Sequence, residues 1–313
     1  MSSTNFSNPL NSTRLLSMDN YFNEMINLYS LKKFPKVLLL NGKKGIGKFT
    51  LVIHFINYIF SQNEKEPYNL NDKTINIDSI FYKQLLNNTN QDILFIKAEE
   101  NKNIKIEDIR NLKSIISRSS LSNNPRFIIV DEVEFINENS VNALLKSLEE
   151  PTANNFFILI NNKQADLIKT ISSRCLITNV FLNQTETSSV INYLLERNNI
   201  ESLMEFDPNL TPGLFFRFNE IFLKLNLNKK DNILVKINKL LNAYKKNKDK
   251  VIINLVLYLI DQYFLNLIQS NEEQLDALIK IKTSIISNIN DFNYYNLNIN
   301  SVLSSIEMKL KNV

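Results

Sequence analysis

Apolar residues come in short unbroken runs at residues 37–40, 93–96, 127–130 and 156–160, with a weaker run at 177–182. Val37-Leu38-Leu39-Leu40 and Phe127-Ile128-Ile129-Val130 show no alternation of apolar with polar positions. Such runs predict strands buried on both faces, as in a parallel sheet. Between them the apolar spacing becomes helical: over 15–29, over 51–60 (Leu51, Phe55, Ile56, Ile59, Phe60), over 104–117, over 141–148 (Val141, Leu144, Leu145, Leu148) and over 167–171. Glu149-Glu150-Pro151 ends the helix of Leu148, because the residue before a proline avoids helical geometry. Residues 1–13 read as an irregular lead-in, and 61–91 as a polar loop holding one short helix. Strands alternating with helices predict an α/β, doubly wound parallel sheet.

The pattern changes near residue 183. From Gln184 onward no run predicts a strand. Val190, Leu194 and Leu195 mark one helix, and Pro212-Gly213 precedes another. Further helices are predicted around Ile233, Ile237, Leu240 and Leu241, then over 251–267, 275–289 and 302–310, with connections at 226–231, 242–250 and 290–300. Three segments follow: 1–182 with the sheet, 183–222 small and helical, and 223–313 all-α.

Two of the predicted strands lead into chemistry. After residues 37–40 comes Asn41-Gly42-Lys43-Lys44-Gly45-Ile46-Gly47-Lys48-Phe49-Thr50. Gly42, Gly47 and Lys48 stand at phosphate-loop spacing, with a helix following. Glycines let successive N–H groups face a phosphate, and the helix N-terminus adds positive potential. The chain has 4 glycines, and Gly42, Gly45 and Gly47 lie here, which argues against chance. The motif asks for a hydroxyl after the lysine, to hold magnesium. That position is Phe49, and Thr50 is one residue late, turned by about 100 degrees on a helix. The metal ligand of the loop is therefore expected to be lost. The second run ends in Asp131-Glu132, at the carboxyl end of a strand where open α/β sheets bind ligands and where an acidic residue commonly holds magnesium against phosphates.

Composition narrows the classes. The 313 residues, 44% hydrophobic, are enough for two or three domains with ordinary cores. A net charge of +4 speaks against a strong polyelectrolyte binder. A single cysteine, Cys175, excludes an intrachain disulfide and a multi-cysteine zinc site and suits a reducing compartment. The lone His54, inside the helix after the loop, reads as a packed or capping histidine. The N-terminus has no basic and apolar pattern of a signal peptide. The longest apolar run, 251–260, is broken by Asn254 and reads as too short to span a bilayer.

Four pieces in order resemble a known family: the phosphate loop; Asp131-Glu132 with Asn142-Ala143-Leu144-Leu145-Lys146 before Leu148-Glu149-Glu150-Pro151; the 156–162 strand ending in Asn161-Asn162; and Ser173-Arg174-Cys175. Together these resemble AAA+ clamp-loader subunits, and among them the delta-prime type of bacterial DNA polymerase III. The resemblance is strong over residues 10–180, weaker over 183–222, and holds beyond that only by position and class. It implies an AAA+ P-loop domain (1–182), a small helical lid (183–222) and an all-α collar that joins subunits (223–313). Ser173-Arg174-Cys175 matches the motif whose arginine reaches the ATP of the neighbouring subunit. A guanidinium there stabilises charge on the transferring phosphoryl group in trans. Asn161, or Asn162, matches a polar sensor position, and Gly213 stands where active relatives carry a second sensor arginine.

The resemblance thus implies a subunit without ATPase activity of its own, which serves its neighbour's site. Gly42, Gly45, Gly47, Lys48, Thr50, Asp131, Glu132 and Asn161 form a degenerate nucleotide site. No cofactor is required and no metal is expected to be resident; any ATP and magnesium binding is expected to be weak. Implied partners are gamma/tau-like motor subunits, a delta-like clamp-opening subunit, the sliding clamp, and primer-template DNA contacted through phosphates. No membrane is implied, and the bacterial cytoplasm is the expected compartment. The rival is an active AAA+ ATPase, such as the motor subunit, for which Glu132 speaks.

Overall fold

The structure, a computed structural model, describes residues 8–98, 104–116, 124–152, 154–207, 209–270, 275–295 and 297–311. Its sheet is built from β1 (Val37–Asn41), β2 (Ile93–Lys97), β3 (Arg126–Asp131), β4 (Asn155–Asn161) and β5 (Leu176–Asn179), in the spatial order β2-β3-β4-β1-β5. Every pairing is parallel, with Val37 opposite Phe157, Phe127 opposite Phe156 and Leu38 opposite Leu176. The helices of this part are α1 (Asp19–Ser30), α2 (Lys48–Ser61), α3 (Ile80–Leu86), α4 (Ile106–Ile116), α5 (Glu138–Glu149), α6 (Lys169–Ser172) and α7 (Gln184–Asn198).

Alternate residues of the apolar strands face opposite ways, so each strand feeds two cores. Leu38, Leu40, Phe127, Ile129, Ile158 and Ile160 pack with α1, α2 and α3. Val37, Leu39, Ile128, Val130, Phe157 and Leu159 pack with α4, α5 and Ile171. Helix α2 lies under the sheet, with Leu51, Val52, Ile53, Phe55 and Ile56 wholly buried. Phe127 is the hub of an aromatic cluster. Its ring centroid lies 5.3 Å from Phe156, 5.9 Å from Phe55 and 6.1 Å from Phe60.

The chain divides into two compact units. The first holds residues 1–197 and 208–214, and the second 198–207 and 215–313. The division falls inside α8 (Pro212–Lys224), and it differs from the three-part division expected from the sequence. In the second unit α9 (Ile233–Asn247), α10 (Lys250–Ser270), α11 (Leu275–Tyr295) and α12 (Ile299–Leu310) form a helical bundle. Helix α10 packs on α9 and α11, and α12 packs on α11 and α9.

Several expected boundaries move. Residues 290–295, read as a connection, continue α11, because Phe292 extends the buried face of Ile285 and Ile289 at helical spacing. Residues 242–247 continue α9 for the same reason, with Tyr244 buried below Leu240 and Leu241. The fifth strand starts one residue early and ends at Asn179, three short of its expected end. The expected helix end at Ser117 and residues 1–7 of the lead-in lie outside the described residues. The apolar run at 251–260 belongs to a longer helix. Among the described residues, Lys250–Gln269 of α10 is the one helix long and apolar enough to cross a bilayer by length and composition. Its Ile252, Leu255, Val256, Ile260 and Phe264 are buried, and 33% of its most apolar stretch is buried in all.

Candidate functional site

The strand order sets the site. From β1, fourth in the order, the chain crosses to the far edge at β2 and then returns through β3 and β4 to β1's side. At such a switch point the carboxyl ends of the strands form a crevice. The turn after β1, the end of β3 and the end of β4 supply it here.

The turn after β1 is wound as a phosphate loop. Gly45 and Gly47 take φ of +85° and +101°, the left-handed region that side chains resist, and Gly47 is the N-cap of α2. Lys48 is 3% exposed, and its Nζ donates to the carbonyl oxygens of Gly42 and Lys43, both at 2.7 Å. Burial pulls its pKa down to about 8, against the opposing fields of Asp131 and Glu134. Phe49 is half-buried and packs against the apolar core, its ring 5.7 Å from that of Phe95. It offers a metal no ligand. Thr50, half-buried, is the next residue round the helix.

Asp131, the last residue of β3, and Glu132 just after it are both buried. Asp131 Oδ1 accepts from the Glu132 N–H at 2.9 Å and from Asn162 Nδ2 at 3.2 Å, and Lys97 Nζ lies 3.6 Å from Oδ2. Burial raises the Asp131 carboxyl above the ordinary range, and the Lys97 ammonium works against the rise. Glu132 adopts φ 58°, ψ 44°, uncommon for a residue with a side chain. That bend brings its carboxylate to Lys44, with Nζ to Oε1 2.7 Å. The carboxylate that would orient a water in an active ATPase is therefore ion-paired to the loop.

At the end of β4 the two asparagines divide. Asn161 Nδ2 donates to Asn41 Oδ1 at 3.0 Å, across the strand pair. Asn162 is the one that reaches Asp131. Asn161 thus stands at the strand end as expected, but its neighbour makes the contact to the acidic pair.

A further element closes on the loop. Thr211 Oγ1 donates to the Lys44 carbonyl at 2.7 Å, and the Gly213 N–H donates to the Gly45 carbonyl at 2.8 Å. A Cβ on Gly213 would stand 2.7 Å from the Gly45 Cα, so backbone lies on backbone. All four glycines of the chain, Gly42, Gly45, Gly47 and Gly213, therefore gather at one place. Sequence reasoning took Gly213 as a missing arginine and did not see this close approach. The scarcity of glycine was the signal available. It also missed Glu134, whose Oε1 accepts from the Asn162 N–H at 3.0 Å while its buried Oε2 has no partner among the described residues.

The Ser173-Arg174-Cys175 string ends α6, away from this loop cluster. Arg174 is exposed. Cys175 is half-buried, with Sγ 3.1 Å from the Ile171 carbonyl, and burial pushes its thiol up to about 11, which favours the protonated form at neutral pH. Leu176 and Ile177, 52% and 45% exposed, follow on the edge strand β5.

A parallel sheet in this order, with a phosphate loop after β1 and an acidic pair at the end of β3, two strands away, defines an α/β domain of the P-loop kind. The profile of the family described as "DNA polymerase III, delta subunit" matches residues 18–183, and the chain belongs to that family. The delta-prime subunit of Buchnera aphidicola subsp. Acyrthosiphon pisum is 27% identical over 168 residues, which are 53% of this chain and 49% of that protein. The delta-prime subunit of Pseudomonas aeruginosa is 30% identical over 139 residues, 44% of this chain and 40% of that one. The gamma subunit of the same Buchnera is 27% identical over 176 residues, 55% of this chain and 46% of that one. The chain spans about half the length of the curated relatives it matches. By these likenesses it resembles DNA polymerase III delta-prime subunits.

Proposed function

We propose that this subunit turns over no ATP itself and supplies Arg174 in trans to the ATP site of a neighbouring subunit, in a ring that loads a sliding clamp onto primed DNA. The observation that carries the reading is Phe49. Where a working loop needs a hydroxyl on magnesium, an aromatic ring is packed on Phe95. The other loop contacts agree in direction: the Lys48 ammonium is spent on carbonyls, Glu132 is paired to Lys44, and Gly213 lies on Gly45. Arg174, by contrast, stands at the surface beside the exposed Leu176 and Ile177, an apolar edge suited to a subunit contact.

The partners proposed are gamma/tau-like motor subunits, a delta-like subunit, the clamp, and DNA held through its phosphates. Residues 1–182, 183–222 and 223–313 serve as the P-loop domain, the lid and the collar. No cofactor is required; loop N–H groups retain a weak capacity for nucleotide. The compartment is the bacterial cytoplasm. The second reading, an active motor-type ATPase, is favoured by the likeness to gamma subunits and by the presence of Glu132.

The test is a reconstituted clamp loader assayed for ATP turnover with clamp and primed DNA. Arg174→Ala should assemble normally and lower turnover, and Arg174→Lys should not restore it, because an ammonium lacks the planar fork. Related arginine fingers contribute roughly a thousandfold or more at a single site. The loss in a ring is smaller, since only one site loses its finger. Turnover unchanged in both variants would make Arg174 a surface residue.

A further inference from the structure

Arg174 is held within its own chain. Glu149 Oε1 accepts from Arg174 Nε at 2.8 Å and lies 2.5 Å from Nη2. On the other side, Nη1 donates to the Thr170 carbonyl at 2.9 Å and to Ser173 Oγ at 3.2 Å. A carboxylate thus grips one edge of the planar guanidinium and α6 grips the opposite nitrogen. One oxygen shared by Nε and Nη2 takes the hydrogens on that edge. The Nη2 hydrogen pointing away from Glu149 is outside these bonds.

Stability gives little reason for a glutamate at 149. It is the last residue of α5, and Glu150 is the C-cap. Two carboxylates at a helix C-terminus face the negative end of the helix dipole, which is unfavourable. The pair is also partly solvated, the side chains being 33% and 45% exposed, and such pairs contribute little to folding. What the arrangement does achieve is direction. An arginine side chain with free rotamers must be ordered before it can meet a phosphoryl group, and a fixed one need not be.

We infer that Glu149 is a positioning residue for Arg174, presenting the remaining Nη2 hydrogen to the phosphoryl group of a neighbouring subunit's nucleotide. The inference rests on the trans-arginine reading above. Glu149 touches no substrate; it acts through Arg174 alone.

The experiment is a double-variant cycle in the reconstituted clamp loader, with ATP turnover read under clamp and primed DNA. The variants are Glu149→Ala, Glu149→Gln, Arg174→Ala and Glu149→Ala with Arg174→Ala. Glu149→Ala should lower kcat by roughly tenfold, the order set by ordering one long side chain, with KM for ATP little changed. Glu149→Gln keeps an acceptor for Nε and should fall between Glu149→Ala and the unaltered protein. The double variant should match Arg174→Ala alone, because a positioning residue has nothing left to position. Unchanged turnover in Glu149→Ala beside a clear loss in Arg174→Ala would overturn the inference and leave the trans arginine standing. Losses that multiply in the double variant would also overturn it, by showing Glu149 to act independently. No loss in Arg174→Ala would instead overturn the trans-arginine reading itself.

Discussion

His54 is wholly buried, its Nε2 2.9 Å from the Ser12 carbonyl and its Nδ1 2.9 Å from Tyr68 Oη. A carbonyl only accepts, so Nε2 carries the hydrogen and Nδ1 accepts from the tyrosine. Burial pulls the ring down to about 4, and the folded chain keeps it neutral. The unfolded chain takes its proton near the ordinary value of about 6.5. Stability is therefore full above about pH 6.5 and falls as the pH drops towards 4, by on the order of 3 kcal/mol. Urea unfolding at pH 7 and pH 4.5 should show this loss. His54→Gln should remove most of it; the same slope in that variant would place the titration elsewhere. Gly213 makes a second prediction. Its Cβ would meet backbone, which cannot yield as a flexible side-chain end can. Gly213→Ala should cost roughly 1–3 kcal/mol in the same measurement, a typical overpacking penalty. A neutral result would mean that the 208–214 segment lifts from the loop at little cost.

At the scale of elements, the sheet rests on its aromatic hub. Phe127→Ala removes a ring buried among Phe55, Phe60 and Phe156, and should cost about 3–5 kcal/mol in a denaturant titration. A cost below about 1 kcal/mol would show the two cores to be loosely coupled to β3. The strands of this sheet were legible because each is buried on both faces and its apolar run is unbroken, as at residues 127–130. The edge strand β5 was less so: Leu176-Ile177-Thr178-Asn179 is half exposed and carries little pattern. The ends of α9 and α11 were missed because Tyr244 and Phe292 are single buried residues in asparagine- and lysine-rich stretches. At the site, the loop and the acidic pair were legible from spacing. The choice of Asn162 over Asn161 as the Asp131 partner depends on which side chain turns inward at a strand end, and that depends on tertiary packing. The approach of Gly213 to Gly45 joins residues 168 positions apart, and no local pattern announces it.

For the whole molecule, the proposed function separates two capacities that an active ATPase would combine in one chain. The loop keeps its glycines and its lysine, so its winding survives, while the ligand that would hold a metal is replaced by Phe49. Arg174 stands at the surface, bonded to Glu149 and to the Thr170 carbonyl of α6. This combination is what the proposed trans-acting subunit requires. The most direct measurement is steady-state ATP hydrolysis by the purified chain alone, beside a gamma/tau-like motor subunit under the same conditions. Turnover should stay at background, unaltered by Lys48→Ala. Turnover comparable to that of the motor subunit, abolished by Lys48→Ala, would contradict it and make the chain an ATPase in its own right.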